Sequence, residues 1–256
     1  VSRLDDLDSG HPGSRGVATQ EIEVMPWFEE RSPLANHSTE SRICLALMVS
    51  LSLPGIAVAW SLDTPLEGAD ASYFGEAGGD RTGSAVEFAG DVNADGLGDL
   101  LIAAPAREIA GEEVGEVYLV LGRTTGWTFR DVVSSADASF VGEGHIWCTG
   151  LEMAGGGDVH GDGSEDFIIG APHARDGVAL GGGLAALFLG KASGWSHDVP
   201  LTQADVVLWG GDEDDTAEAG RYLASNGDIN GDGLTDLLIG APGVYTYPYG
   251  AGALYV

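Results

Sequence analysis

Three short segments of the chain place acidic and amide side chains at fixed intervals. They read DVNADGLGD from Asp91, DVHGDGSED from Asp158 and DINGDGLTD from Asp228. Positions 1, 3, 5 and 9 carry oxygen-bearing side chains, with one histidine among them, and a glycine at position 6 permits the positive φ of a tight turn. Carboxylate, amide and carbonyl oxygens are the ligands that Ca²⁺ prefers. The segments therefore predict up to three calcium sites.

The predicted ligands follow from these positions, with position 7 contributing its backbone carbonyl oxygen. They are Asp91, Asn93, Asp95, Leu97 and Asp99 in the first loop, Asp158, His160, Asp162, Ser164 and Asp166 in the second, and Asp228, Asn230, Asp232, Leu234 and Asp236 in the third. Imidazole is a poorer ligand for Ca²⁺ than an oxygen atom. We therefore expect the second loop to bind most weakly.

Two other interpretations of these loops fit the sequence less well. Asp, Asn and Gly also favour turns that bind no metal, but three acidic copies bring like charges together, which costs stability unless a cation lies among them. An EF-hand needs a glutamate at position 12 and a helix after the loop. Position 12 is Ile102, Ile169 or Ile239, each within an apolar run. We therefore expect each loop to join two strands.

The loops belong to a longer internal repeat, with separations of 67 and 70 residues. Each loop runs into an apolar segment, which reads LLIAAP at 100–105, FIIGAP at 167–172 and LLIGAP at 237–242. Aromatic and glycine markers keep the same register: Tyr73-Phe74-Gly75, Phe140-Val141-Gly142 and Leu208-Trp209-Gly210, and likewise Gly126-Trp127 and Gly194-Trp195. So many markers in one register indicate related repeats rather than an unrelated repetitive β-protein.

The elements that must position the loops are short strands. One set of four is predicted near 85–89, 99–104, 115–121 and 138–141, separated by glycine-rich turns. Four strands per unit favour an all-β fold built from four-stranded antiparallel β-propeller blades. The predicted units are about 60–126, 127–194 and 195–256.

The repeated residues resemble the FG-GAP repeat, the blade unit of integrin α-chain propellers and of many bacterial surface and secreted proteins. The resemblance covers about residues 60–256 and rests on the aromatic-glycine markers, the acidic loops and Gly-Ala-Pro at 170–172 and 240–242. It implies calcium in the hairpin loop before each Gly-Ala-Pro strand. This sequence departs from the pattern at Ala103, at Val141 and at His160. Propellers of the family have about seven blades, so we expect an incomplete propeller here.

The segment before the repeat predicts export. Residues 43–59 carry no charge and end in Ala57-Val58-Ala59, a pattern that a signal peptidase can cut. Cleavage there would start the mature chain at Trp60, where the repeat begins, and would remove Cys44. An uncleaved membrane anchor is the alternative. Residues 1–42 are polar and predict a disordered leader or a segment outside the mature chain.

Charge and motifs narrow the function classes. The net charge of −29 argues against nucleic-acid binding. The six histidines form no H-E-x-x-H pattern, no G-x-S-x-G elbow is present, and the acidic run at 212–215 is typical of a solvated turn. Two cysteines form no disulfide framework, and Cys148 is expected to be a small buried residue.

The resemblance then implies a secreted or cell-surface, non-enzymatic binding or adhesion module. Its partner would be an extracellular protein or glycan, with no membrane span in the mature chain. The alternative that it implies is an accessory propeller of a secreted, phospholipase-like hydrolase whose catalytic part lies elsewhere.

Overall fold

The computed structural model describes residues 66–175, 182–211, 217–246 and 249–256. The predicted leader (1–42), the predicted signal segment (43–59), the expected mature start at Trp60 and the acidic run at 212–215 all lie outside the described residues.

Strands dominate the described residues, and the helical segments among them are three-residue 3-10 turns. In chain order the strands are β1 (Tyr73–Phe74), β2 (Val86–Gly90), β3 (Asp99–Ala104), β4 (Glu108–Ile109), β5 (Glu112–Glu113), β6 (Glu116–Val120), β7 (Asp131–Val132), β8 (Ala138–Val141), β9 (Met153–Gly157), β10 (Asp166–Ala171), β11 (Leu184–Phe188), β12 (Val199–Pro200), β13 (Val206–Trp209), β14 (Tyr222–Gly227), β15 (Asp236–Ala241), β16 (Tyr245–Thr246), β17 (Tyr249–Gly250) and β18 (Ala253–Tyr255). The turns are η1 (Leu66–Gly68), η2 (Val133–Ser135) and η3 (Leu201–Gln203). None of the helices in the described ranges has the length and hydropathy that a membrane crossing requires.

The larger sheets are successive blades. The first blade has the strand order β2-β3-β6-β8, the second has β9-β10-β11-β13, and the third contains β14-β15-β18. Neighbouring strands within each blade are antiparallel. The predicted all-β fold of antiparallel blades is therefore confirmed. Strands, not helices, begin at Asp99, Asp166 and Asp236.

Two short parallel strand pairs join segments of consecutive repeats. Tyr73 of β1 pairs with Asp131 of β7, and Phe140 of β8 pairs with Val199 of β12. The first blade takes β2, β3 and β6 from the predicted unit 60–126 but takes β8 from the next unit. The second and third sequence repeats thus each supply strands to two blades, which ties consecutive blades together along the chain.

The core lies between the blades, and this explains the apolar runs. Strand β3 is buried along its whole length. Leu101 and Ala103 belong to the cluster that the first blade shares with the second, whereas Leu100 and Ile102 belong to a cluster on the opposite face. A strand that is covered on both faces needs apolar side chains at every position rather than at alternate ones.

Aromatic rings fill the interface between the first and second blades. The centroid of the Phe140 ring lies 4.3 Å from that of Phe188 and 5.3 Å from that of Phe167, and Trp195 packs edge-on at 6.4 Å. Phe140, an aromatic marker of the sequence repeat, is 2% exposed. Its repeated position is therefore explained by packing between blades.

Candidate metal sites in the acidic loops

The three acidic loops are structurally equivalent. Each joins the first and second strands of its blade, and a glycine precedes position 1 in all three. In each blade that glycine pairs with the position-9 aspartate across an irregularity in the ladder: Gly90 with Asp99, Gly157 with Asp166 and Gly227 with Asp236. The irregularity lets nine residues close into a compact hairpin loop.

The position-1 carboxylate organises the turn. In the third loop Asp228 Oδ1 accepts the backbone N–H of Gly231 at 2.6 Å, and Oδ2 accepts that of Gly233 at 2.9 Å. These hydrogen bonds lower the pKa of Asp228, since they favour the ionised carboxylate. Asp91 and Asp158 accept equivalent bonds in their own loops. The position-6 glycines are left-handed, as expected, with φ of 88, 93 and 90° at Gly96, Gly163 and Gly233.

The position-9 carboxylate is buried beneath the first and second loops. Asp99 Oδ2 accepts the N–H of Val92 at 2.9 Å, and Oδ1 accepts that of Gly122 at 2.7 Å. Burial, with smaller contributions from the charges of Asp95 and Asp91, raises the pKa of Asp99 to about 6 despite these two bonds. Asp166 is also buried and makes the same pair of contacts, to Val159 and Gly190. A nearby cation would favour the ionised form of such a group.

Position 5 lies at the exposed end of each loop and holds the residue at position 7. Asp95 Oδ1 accepts the N–H of Leu97 at 2.9 Å, and its Oδ2 accepts Asn93 Nδ2 at 3.0 Å. The equivalent backbone donors are Ser164 to Asp162 at 2.8 Å and Leu234 to Asp232 at 2.9 Å. In the third loop Asn230 Oδ1 also accepts the N–H of Asp232 at 2.8 Å. Position 5 thus organises the exposed side of each loop through local hydrogen bonds.

His160 gives the second loop a different interior. Its Nδ1 lies 3.1 Å from Asp166 Oδ2 and 3.7 Å from Asp158 Oδ1, and its Nε2 lies 3.0 Å from Asp162 Oδ2. The hydrogen bond with Asp166, together with the charges of Asp166 and Asp162, raises the pKa of His160. Among the described residues, Asp158, His160 and Asp166 are the group of three whose ligand atoms converge within 4.8 Å. The imidazole therefore lies among the carboxylates that would surround an ion.

No lysine or arginine pairs with a loop carboxylate within the described ranges. The ion pairs of arginine there involve residues outside the loops: Glu76, Asp80, Glu116, Asp137 and Glu218. His160 is the one basic side chain that meets the loops in that part of the chain. Hard oxygen ligands, buried acids and the absence of a lysine or arginine partner together fit a divalent cation such as Ca²⁺.

Contacts between consecutive loops were not predicted from the sequence. The N–H of Glu165, at position 8 of the second loop, donates to the carbonyl oxygen of Asp91 at 3.1 Å, and the Glu165 carboxylate accepts the N–H of Asp91. The N–H of Thr235, also at position 8, donates to the carbonyl oxygen of Asp158 at 3.0 Å. Each contact links position 1 of one loop to the next blade. In the sequence, the glycine before each loop was the feature that could have indicated these contacts.

A protein-family model described as FG-GAP repeat matches residues 82–120 and 221–256. These ranges contain the first and third loops with the strands on either side of them. The chain is an FG-GAP repeat protein. The second loop of this FG-GAP chain, with its departure at His160, lies between the two matched ranges.

Curated relatives of the FG-GAP chain include integrin α-chains. Integrin alpha-PS5 of Drosophila melanogaster is 30% identical over 68% of this chain and 16% of its own length, and integrin alpha-5 of Xenopus laevis is 31% identical over 69% and 15%. Phosphatidylinositol-glycan-specific phospholipase D of Bos taurus is 30% identical over 67% of this chain and 20% of its own length. The chain therefore spans a fifth or less of each of these relatives, and the FG-GAP repeats are of the integrin-α type.

Proposed function

We propose that residues 60–256 form the Ca²⁺-binding part of an extracellular β-propeller with a non-enzymatic binding or adhesion role. One observation carries the calcium assignment. Three equivalent loops carry carboxylates at the same positions, the ligand atoms of the second converge within 4.8 Å, and in the described residues no lysine or arginine neutralises them. The relation to integrin α-chains supports the placement outside the cell.

The residues that would hold the ions are those predicted from the sequence: Asp91, Asn93, Asp95, Leu97 and Asp99; Asp158, His160, Asp162, Ser164 and Asp166; and Asp228, Asn230, Asp232, Leu234 and Asp236. Position 1 shapes the turn, position 9 anchors it to the core, and positions 3 and 5 close its exposed side. A bound cation supplies charge neutralisation and a cross-link within the hairpin. Its role is thus structural: it stabilises the blades rather than taking part in a reaction.

The direct test is calorimetric titration of calcium-free protein with CaCl₂, combined with thermal unfolding before and after chelation. We expect up to three ions per chain and a lower Tm in chelator, because an ion that binds only the folded chain stabilises that state. If no binding heat is detected and the melting curve is the same in chelator, the loops are turns that bind no metal.

Export is part of the same proposal. We propose that residues 43–59 are a signal peptide and that the mature chain starts near Trp60. Amino-terminal sequencing of exported protein tests this, and a mature chain that retains residues 43–59 would instead favour a membrane anchor. The partner that we propose is an extracellular protein or glycan, to be sought by calcium-dependent binding to immobilised matrix proteins and glycans.

A second candidate function rests on the bovine phospholipase D relative. In that case the repeats would be an accessory domain beside a hydrolase whose catalytic residues lie outside this chain. Hydrolysis of a phospholipid by the isolated chain would refute the non-enzymatic role. Binding of a matrix ligand without hydrolysis would favour the adhesion module.

A further inference from the structure

The third blade and the first repeat have complementary open strand edges. Among the described strands, the third blade has three, and the outer edge of β18 has no partner. In the first and second blades the equivalent edges belong to β6 and β11, which pair with the outer strands β8 and β13. Strand β1 shows the reverse: within the described residues it pairs with β7 and belongs to no blade.

Strand β1 carries the sequence marker of an outer strand. Its Tyr73-Phe74-Gly75 aligns with Phe140-Val141-Gly142 of β8 and with Leu208-Trp209-Gly210 of β13. The parallel pairing of β1 with β7 also matches that of β8 with β12. By sequence and by pairing, β1 is therefore an outer strand whose second edge is open in the described part of the chain.

Apolar side chains of β18 are exposed, whereas their equivalents in the other blades are buried. Leu254 aligns with Val117 of β6 and with Ala185 of β11. Leu254 is 64% exposed, whereas Val117 and Ala185 are both 0% exposed. Val256, on the same face of the strand, is also exposed. An open strand edge with exposed apolar side chains is a template for pairing with another chain.

A buried hydroxyl group of the first repeat has no hydrogen-bond partner in the described residues. Thr82 Oγ1 is enclosed there without a donor or acceptor, which costs stability. Its equivalent in the second repeat, Thr149 Oγ1, donates to the carbonyl oxygen of Val114 at 3.0 Å. Val114 lies just before β6, and the residue at the same position before β18 is Ala251. The acceptor that Thr82 lacks is thus a carbonyl group at the start of the open strand.

An apolar groove lies beside the same open edge. It has a volume of about 580 Å³, and its lining includes Leu208 and Leu237. These residues align with Phe140 and Phe167. Between the first and second blades the equivalent space holds Trp195, whose ring centroid lies 6.4 and 5.9 Å from those of the two phenylalanines. The groove is therefore a place for a tryptophan side chain from the segment that precedes an outer strand.

We propose that β1 of a second copy of this chain adds to β18 as the fourth strand of the third blade. The register of the other blades places Tyr73 opposite Leu254. The hydroxyl group of Thr82 then donates to the carbonyl oxygen of Ala251. In strand addition of this kind, main-chain hydrogen bonds supply affinity and side chains supply specificity.

The segment ahead of β1 supplies the tryptophan for the groove. It reads WSLDTP at 60–65 and shares Trp, Ser, Asp and Pro with WSHDVP at 195–200. Trp60 of the second copy therefore takes the place in the groove that Trp195 takes between the first and second blades.

The partner is a second copy because one chain cannot join its own two edges. The second blade lies between the first and the third, since β9 packs against both β2 and β14. Strands β1 and β18 therefore lie at opposite ends of the row of blades. Each copy offers β1 to one neighbour and β18 to another, so the interface is heterologous, and association continues into a ring or a filament.

The test is sedimentation velocity of the full chain over a wide range of concentrations, with reductant and the same CaCl₂ concentration in every sample. The association does not depend on the proposed calcium binding. We expect the wild-type chain to associate beyond the monomer as its concentration rises. Leu254→Lys and Phe74→Lys should each abolish this association, because lysine at a strand edge opposes pairing with another strand. Ile146→Lys, at an exposed apolar residue outside both surfaces, should associate as the wild type does.

Mixing the two variants tests the heterologous geometry. Leu254→Lys retains β1 and Phe74→Lys retains β18, so together they should form a one-to-one dimer that grows no further. An interface that uses the same surface on both copies would not be restored by mixing. Melting curves establish that each variant is folded, and Trp60→Ala replaces Phe74→Lys if that variant unfolds.

Thr82→Val is the finer test of register. It should weaken association about two- to tenfold, the effect of one lost hydrogen bond, without lowering the Tm of the monomer, in which the hydroxyl group has no partner. Unchanged association in Thr82→Val would contradict the register. A wild-type chain that stays monomeric, association that survives Leu254→Lys, or a mixture that stays monomeric overturns the proposal.

Discussion

Replacing Asp95 or Asp232 by alanine should remove the stabilisation that calcium gives to one loop while leaving the calcium-free fold nearly unchanged. Both side chains are exposed, and their hydrogen bonds are confined to their own loops. Asp99, in contrast, is buried and holds two backbone N–H groups, so its replacement would disturb the fold directly. Position 5 is therefore the position at which metal binding can be separated from folding.

The magnitude follows from mass action and from the size of the repeat region. At roughly 10 mM Ca²⁺ and a Kd of about 10⁻³ M, typical of extracellular modules, one site that exists only in the folded chain contributes about 1.4 kcal/mol. In a folded unit of roughly 200 residues, 1 kcal/mol shifts Tm by about 2–4 °C. Each intact loop should therefore add about 3–6 °C to the Tm that is measured in chelator.

The assay is differential scanning calorimetry of each variant in chelator and in CaCl₂. The calcium-dependent rise in Tm should fall by about one loop's share in Asp95→Ala or Asp232→Ala, and by about two shares in the double variant. Asp70→Ala is the matched control, because Asp70 is exposed and lies outside the loops. A rise that is undiminished in the double variant, or equally diminished in Asp70→Ala, would refute the assignment of these loops as calcium sites.

Three further predictions concern packing and the second loop. Gly90→Ala should lower the free energy of unfolding, measured in urea, by about 2 kcal/mol more than Gly126→Ala does. Both glycines have φ near 87°, but only a Cβ at Gly90 would clash with Glu165. Equal losses of stability would mean that the contact between the loops is unimportant. Phe140→Ala should lower the free energy of unfolding by about 3–5 kcal/mol in the same assay, because Phe140 is buried between blades. Phe129 is exposed, so Phe129→Ala should lower it far less. Similar losses for the two variants would contradict the packing of Phe140 between blades. His160→Asn should tighten calcium binding at the second loop in calorimetry, since an oxygen ligand replaces nitrogen; an unchanged or weaker Kd would show that His160 does not face the ion.

Several features could be predicted from the sequence because the same local pattern of residues occurs in each of the three repeats. The strand predicted near 99–104 is observed at Asp99–Ala104, and the one predicted near 138–141 at Ala138–Val141. Glycine at position 6 indicated the left-handed turn that Gly96 adopts. Local turn chemistry and continuous apolar runs act over a few residues, so they can be read without knowledge of distant contacts.

Other features depend on which distant residues the fold brings together. Glu165 lies 74 positions from Asp91, and no spacing rule identifies it as the residue that holds the first loop to the second blade. Cys148 was expected to be a small buried residue, yet the structure leaves it partly accessible. Its sulfur atom contacts the imidazole of His173, 25 positions away.

The sequence by itself thus determined the strands, the loops and the residues that we propose as cation ligands, because turn propensity, strand burial and ligand chemistry are properties of short segments. The division of the second and third repeats between two blades, the contacts between loops and the pairing of thiol with imidazole were decided only by the tertiary structure. These features arise from packing between blades, where the energy depends on side chains that meet across the interface and not on their neighbours along the chain.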